Sequence, residues 1–145
     1  ENLRSAYNVG SIFRTADAFK VEKIFCLGYT PTPEHPSLSK TALGAETTVP
    51  YEAVASLPAL IEKLKTNGFQ IVALEIGAQA VPLSGFRPTK KVAWLLGNET
   101  EGLSAEALQL ADVTVMIPMR GQKASLNVAV TAAIAIYHSD IFSKL

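Results

Sequence analysis

The sequence holds one cysteine and two histidines, and no apolar run long enough to span a bilayer. A single thiol excludes a disulfide framework, and Cys26, set in a strand-like run, reads as a small core hydrophobe. His35 lies between prolines in a loop, and His138 sits near the end of the last helix, facing the negative pole of its dipole. So few ligands, so far apart in sequence, give no metal spacing, and no metal is expected. Neither charge is in excess, with thirteen Lys and Arg against thirteen Asp and Glu. No global field therefore draws the chain onto nucleic acid, although a local basic face is still possible. The cations gather at Arg4 and Arg14, at Arg87, Lys90 and Lys91, and at Arg120 and Lys123. Ordinary solvated charge is the alternative reading of each group.

Other absences narrow the function. No G-x-G-x-x-G follows a strand, and no Lys-Ser/Thr follows Gly102, so dinucleotides, ATP and GTP are disfavoured. The apolar stretch from Leu126 to Tyr137 is too short for a membrane span, and no signal peptide precedes it. A soluble, cytoplasmic protein is the expectation. The chain opens at Glu1 without an initiator Met, which leaves room for a natural N-terminal segment ahead of it.

What is present fits one α/β domain: 145 residues, 48% hydrophobic and 18% charged. Asn8 is placed to cap a helix from Gly10 to Phe19, and Gly10 is expected to leave an open spot beside Arg14. Strands are expected at Glu22–Leu27, Thr47–Tyr51, Phe69–Ile76, Val92–Leu96 and Val113–Ile117. Tyr29–Lys40 carries three prolines and reads as loop, followed by a helical turn over Thr41–Glu46. Helices are expected at Leu57–Asn67, stopped by Gly68, and from the Ser104 cap to Ala111, with a last one over Leu126–Phe142. Alternating strands and helices imply a mostly parallel sheet flanked by helices. The last helix has almost no polar face, so one side is expected to meet a partner subunit; burial beneath the N-terminal segment is the alternative.

Three loops carry candidate chemistry. Asn8-Val9-Gly10-Ser11-Ile12-Phe13-Arg14-Thr15-Ala16 places a guanidinium on a helix poor in charge, suited to phosphate or carboxylate recognition or to a structural ion pair. Leu96-Gly97-Asn98-Glu99-Thr100-Glu101-Gly102 follows a buried strand, and its two glutamates suit an uncharged or cationic ligand better than a phosphate. Ile117-Pro118-Met119-Arg120-Gly121 ends a strand, and Ser125-Leu126-Asn127-Val128 opens the last helix. Turns at the carboxyl ends of strands are where ligands collect in such folds.

Taken in order, these three stretches resemble the TrmH-like (SpoU) branch of the SPOUT RNA methyltransferases, and the resemblance spans nearly the whole chain. It implies a single SPOUT catalytic domain over residues 1–145 with a deep C-terminal trefoil knot, a topology rare among proteins. It also implies methyl transfer from S-adenosylmethionine to a ribose 2′-hydroxyl of tRNA or rRNA, by a homodimer. Leu96, Gly97, Ile117, Met119 and Leu126 match the family's cofactor-binding positions. Asn8, Arg14, Glu99, Ser125 and Asn127 match its polar active-site positions. A non-catalytic homologue that binds RNA or cofactor, or a relative that methylates a base nitrogen, is the alternative. Joint retention of Arg14, Ser125 and Asn127 argues against the first, and the Ser125-Leu126-Asn127 arrangement favours ribose over a base nitrogen.

Overall fold

The computed structural model describes residues 1–143. In chain order the elements are α1 (Ala6–Ala18), β1 (Ile24–Leu27), α2 (Ser39–Ala42), α3 (Ala45–Thr48), β2 (Tyr51–Val54), α4 (Leu57–Thr66), β3 (Gln70–Leu74), β4 (Val81–Pro82), β5 (Val92–Leu95), α5 (Ala105–Leu110), β6 (Val113–Met116) and α6 (Val128–Ser143). A 3-10 turn, Leu83–Gly85, follows β4. Every strand ladder is parallel, as the alternation of strands and helices implies. β1 pairs with β2, and a four-stranded sheet runs β4-β6-β3-β5.

β3 is the spine of that sheet. Ile71 and Ala73 point to one face, where they pack with Leu60, Ile61 and Leu64 of α4 and Ala107 of α5. Val72 and Leu74 point to the other, against Val115, Phe86 and Ala135. Ile71, Val72 and Ala73 are wholly buried, which explains why this strand reads as an unbroken apolar run. A third cluster joins the inner face of α1 (Ala6, Val9, Ile12, Phe13, Ala16) to Leu38, Ala42 and Ala45 and to Ala132 of α6. Cys26 is buried, and burial pushes its thiol up to about 11, as suits an inert core residue. His138 bonds the Phe86 carbonyl at 2.8 Å and lies against Phe142 with the two rings tilted by 59°. Among the described residues no helix is long and apolar enough to cross a membrane.

The structure corrects the sequence reading in four places. Asn8 lies inside α1, and Ser5 takes the cap, its Oγ accepting the Asn8 N–H at 3.2 Å. Thr47 and Thr48 are helical rather than extended: each hydroxyl donates back to a carbonyl of its own turn, and the strand starts after Pro50. β4 has no alternating pattern, being two residues long with a proline at its end. Gly10 leaves no open spot, because the start of α2 fills it. A Cβ there would stand 2.3 Å from the Leu38 carbonyl oxygen and 2.2 Å from Thr41 Oγ1.

That last contact generates a prediction with a definite sign. On an open helix Gly→Ala stabilises by about 1 kcal/mol. At Gly10 the overlap with α2 reverses this, and Gly10→Ala should cost about 1–3 kcal/mol, read as a lower midpoint in urea or heat. An unchanged or raised midpoint would show that α1 and α2 separate freely.

Candidate active site

A cleft of about 510 Å³ opens at the carboxyl ends of β3, β5 and β6. It is walled by residues 74–76, 96–102, 116, 117, 119, 125–128 and 131. All five residues matched to cofactor positions, Leu96, Gly97, Ile117, Met119 and Leu126, line it. Glu99, Ser125 and Asn127 line it too.

The wall from Leu96 to Gly102 is a closed hairpin-like loop. The backbones of Asn98 and Gly102 exchange hydrogen bonds of 3.0 and 2.9 Å. Gly97 has no room for a side chain, since a Cβ would lie 2.2 Å from both the Gly102 carbonyl carbon and the Leu103 nitrogen. Sequence reasoning passed over Asn98, which is buried and organises this loop from within. Its Oδ1 accepts from Thr100 N at 2.9 Å, Thr100 Oγ1 at 2.7 Å and Glu101 N at 3.0 Å. Its Nδ2 donates to the Asn2 carbonyl at 2.7 Å and the Tyr29 hydroxyl at 2.9 Å. Glu75, also passed over, braces the far end by accepting the Leu103 N–H at 2.9 Å. Such partners lie too far along the chain for spacing to reveal them.

Three of the polar candidates form one hydrogen-bonded chain. Asn127 Oδ1 caps α6, accepting from Ala129 N at 2.9 Å, so its Nδ2 faces outward and donates to Asn8 Oδ1 at 3.0 Å. Asn8 Nδ2 in turn donates to Glu99 Oε1 at 3.1 Å. The Glu99 carboxylate also accepts the N–H groups of Arg4 at 2.9 Å and Ser5 at 3.1 Å, at the start of α1. Burial alone would raise the Glu99 carboxyl, but these donors and its own N–H outweigh it and hold the group below the ordinary carboxylate range. All three loops named by sequence therefore meet, with Asn8 touching the cleft through Glu99 and Asn127.

Arg14 stands apart. It is exposed on α1, lines no part of the cleft, and makes no ion pair or hydrogen bond among the described residues. The structural ion pair considered for it is thus not formed. Ser125 lies exposed on the rim of the cleft.

The chemistry of the cleft is specific. Leu96, Ile117, Met119 and Leu126 give apolar walls, while the N–H groups of Gly97, Met119 and Leu126 donate to no other backbone carbonyl among the described residues. The charged side chains on its walls are Glu75, Glu99 and Glu101, with no cation among the lining residues. A ligand with a flat apolar part, hydrogen-bonding edges and positive charge fits; a polyphosphate does not.

Comparison with known proteins agrees with this geometry. The model described as the SpoU rRNA Methylase family matches residues 1–137. The chain is 32% identical over 140 residues to the tRNA (guanosine(18)-2′-O)-methyltransferase of Escherichia coli strain K12, covering 97% of this chain and 60% of the relative. It is 32% identical to the 23S rRNA (guanosine-2′-O-)-methyltransferase of Nitrosomonas europaea, covering 96% of this chain and 53% of that protein. The chain therefore spans little more than half the length of these curated relatives. Among solved structures, an AdoMet-bound rRNA methyltransferase from Sinorhizobium meliloti superposes with a TM-score of 0.87 at 30% identity, over 94% of this chain and 52% of that one. The SpoU methyltransferase AviRb from Streptomyces viridochromogenes, in complex with AdoMet, gives 0.86 at 29%, over 96% and 54%. Matched along almost all its length by the family model and by both kinds of relative, the chain belongs to the SpoU rRNA methylase family.

Proposed function

We propose that this chain is the catalytic part of an enzyme that transfers a methyl group from S-adenosylmethionine to a ribose 2′-hydroxyl of tRNA or rRNA. The observation that carries the reading is the convergence of the three motif loops on one cleft, joined by the Asn127–Asn8–Glu99 chain. The names of the relatives point the same way, and action on RNA of these kinds suits a cytoplasmic enzyme. Order within the sheet supports a C-terminal knot: β6 inserts between β3 and β4, and the chain then passes the Leu96–Gly102 loop to reach α6. A homodimer through α6 would cover Val130, Tyr137 and Ile141, which are 48%, 54% and 43% exposed along one side of that helix.

When bound, S-adenosylmethionine supplies a methyl group on a sulfonium centre. Leu96, Ile117, Met119 and Leu126 would enclose its apolar part, the free N–H groups of the loops would read its polar edges, and the carboxylates would favour its positive charge. Ser125 and Asn127 align the incoming hydroxyl, and alignment is worth much of the barrier in such a displacement. Arg14 presents a guanidinium, a fork of N–H donors with no acceptor. It grips an RNA phosphate from outside the cleft rather than serving as a base. Glu99 is a positioning residue: its oxygens are already occupied by donors, and a carboxyl held at low pKa is a poor base.

Two outcomes test this account. Arg14→Ala should abolish transfer of labelled methyl to unmodified RNA while leaving S-adenosylmethionine affinity, measured by calorimetry, within about tenfold. Near-normal turnover would remove Arg14 from the mechanism, and methylation at a base nitrogen or none by the wild type would overturn the ribose reading. For Glu99 the folded-state pKa is depressed, so its stabilising contribution is full above the ordinary carboxylate range and is lost as pH falls through the lowered value. Glu99→Gln should therefore melt below wild type at neutral pH, with the gap closing in acid; a gap independent of pH would contradict the capping role.

A further inference from the structure

The two sides of the cleft differ in charge. One carries Glu75, Glu99 and Glu101. The segment after β6 contributes Met119 and Ser125–Asn127 to the lining, and between them Arg120 to Ala124 run exposed outside it. Within that segment Arg120 follows Met119, and Lys123 precedes Ser125 by two positions; both Met119 and Ser125 line the cleft. Neither cation forms an ion pair or hydrogen bond among the described residues. In a chain with no net charge this is a local feature, and its position beside the hydroxyl-aligning residues gives it meaning.

The comparison with the other lysine cluster sharpens the point. At the opposite end of the sheet, Lys65 is held by Asp112 at 2.8 Å, and Lys91 donates to the Asn67 carbonyl at 3.1 Å and lies over the Phe69 ring. Those cations are engaged within the protein. Arg120 and Lys123 are not, and their charge is available to a ligand.

We propose that Arg120 and Lys123 form a phosphate clamp for the RNA strand at the lip of the cleft, resting on the RNA-methyltransferase reading above. The physical basis is a division of the site by charge. The acidic wall repels phosphates and suits a cationic methyl donor, so a polyanionic strand can approach only along the opposite lip. There the Arg120 fork can take a phosphate through two hydrogen bonds, and Lys123 adds a point charge. A strand held beside Ser125 presents a neighbouring ribose to Ser125 and Asn127. Contacts of this kind fix register without reading bases.

The test uses the wild-type chain, an Arg120→Ala/Lys123→Ala double variant and Lys63→Ala, a cation on α4 that lines no part of the cleft. Binding of a fluorescent unmodified tRNA transcript is followed by anisotropy from about 50 to about 200 mM KCl, since each lost phosphate contact lowers the log–log salt slope by roughly 0.7–0.9. Methyl transfer to unmodified total RNA and calorimetry with S-adenosylmethionine accompany it. The double variant should bind RNA about tenfold more weakly, with a slope smaller by about 1.5, and show a raised KM for RNA. Its kcat and donor affinity should stay within about twofold, and Lys63→Ala should leave the slope unchanged. An unchanged slope and KM in the double variant, beside an active wild type, would overturn the clamp alone. Loss of donor binding in the double variant would overturn it too, by assigning the segment to the donor. A wild type that neither binds nor methylates RNA would overturn the enzymatic reading, and the clamp with it.

Discussion

The Glu99 carboxylate holds the start of α1 by accepting the N–H groups of Arg4 and Ser5, and through Asn8 it reaches the cap of α6. An α-helix leaves its first N–H groups without partners, and a carboxylate at that end meets both the need for acceptors and the favourable pole of the dipole. Here the acceptor comes from a loop more than ninety residues away. One side chain thus decides how α1, the Leu96–Gly102 loop and the start of α6 sit together, and the shape of the cleft follows.

The constraint has a direction built into it. Asn127 spends its carbonyl on the α6 cap, so only its amide N–H groups face Asn8. Asn8 must then turn its own N–H groups to Glu99, whose oxygens are acceptors only, with no competing donor, while the group is ionised. Each residue in the chain fixes the orientation of the next. That is why an amide, a second amide and a carboxylate belong at these positions, and why none of the three is free to act as a proton acceptor. The polar groups left to face a substrate are the Ser125 hydroxyl, the second amide N–H of Asn127, unpaired backbone N–H groups and the cations beyond the cleft.

Much of this was legible in the sequence, for physical reasons. β3 shows as an apolar run because both its faces are covered, and α4 shows its inward stripe of Leu60, Ile61 and Leu64 because its other side meets water. The parallel pairing follows from alternating strands and helices, and the loops declare themselves by glycine and proline between buried strands. What stayed hidden depends on distant partners. Ser5 and Asn8 are both good caps, and the choice between them is made by Glu99. Thr47, Thr48 and Val49 look extended, yet Gly44 turns the chain so that a short helix precedes the strand. Gly10 looks like a vacancy until α2 is seen filling it, and Asn98 is recognisable only by its bonds to Asn2 and Tyr29.

The comparison of the two lysine-bearing ends of the sheet shows how little a count of charges says about function. Lys65 and Lys91 become structural at one end, where Asp112 and a carbonyl engage them, while Arg120 and Lys123 remain available at the other. The central claim is that the three motif loops together cup a methyl donor, and a crystal structure with S-adenosylmethionine tests it most directly. The account predicts the donor in the cleft between residues 96–102 and 116–128, within hydrogen-bonding distance of the Gly97, Met119 or Leu126 N–H, with its methyl group turned toward Ser125 and Asn127. A donor bound elsewhere, or a cleft left empty at saturating concentration, would contradict it.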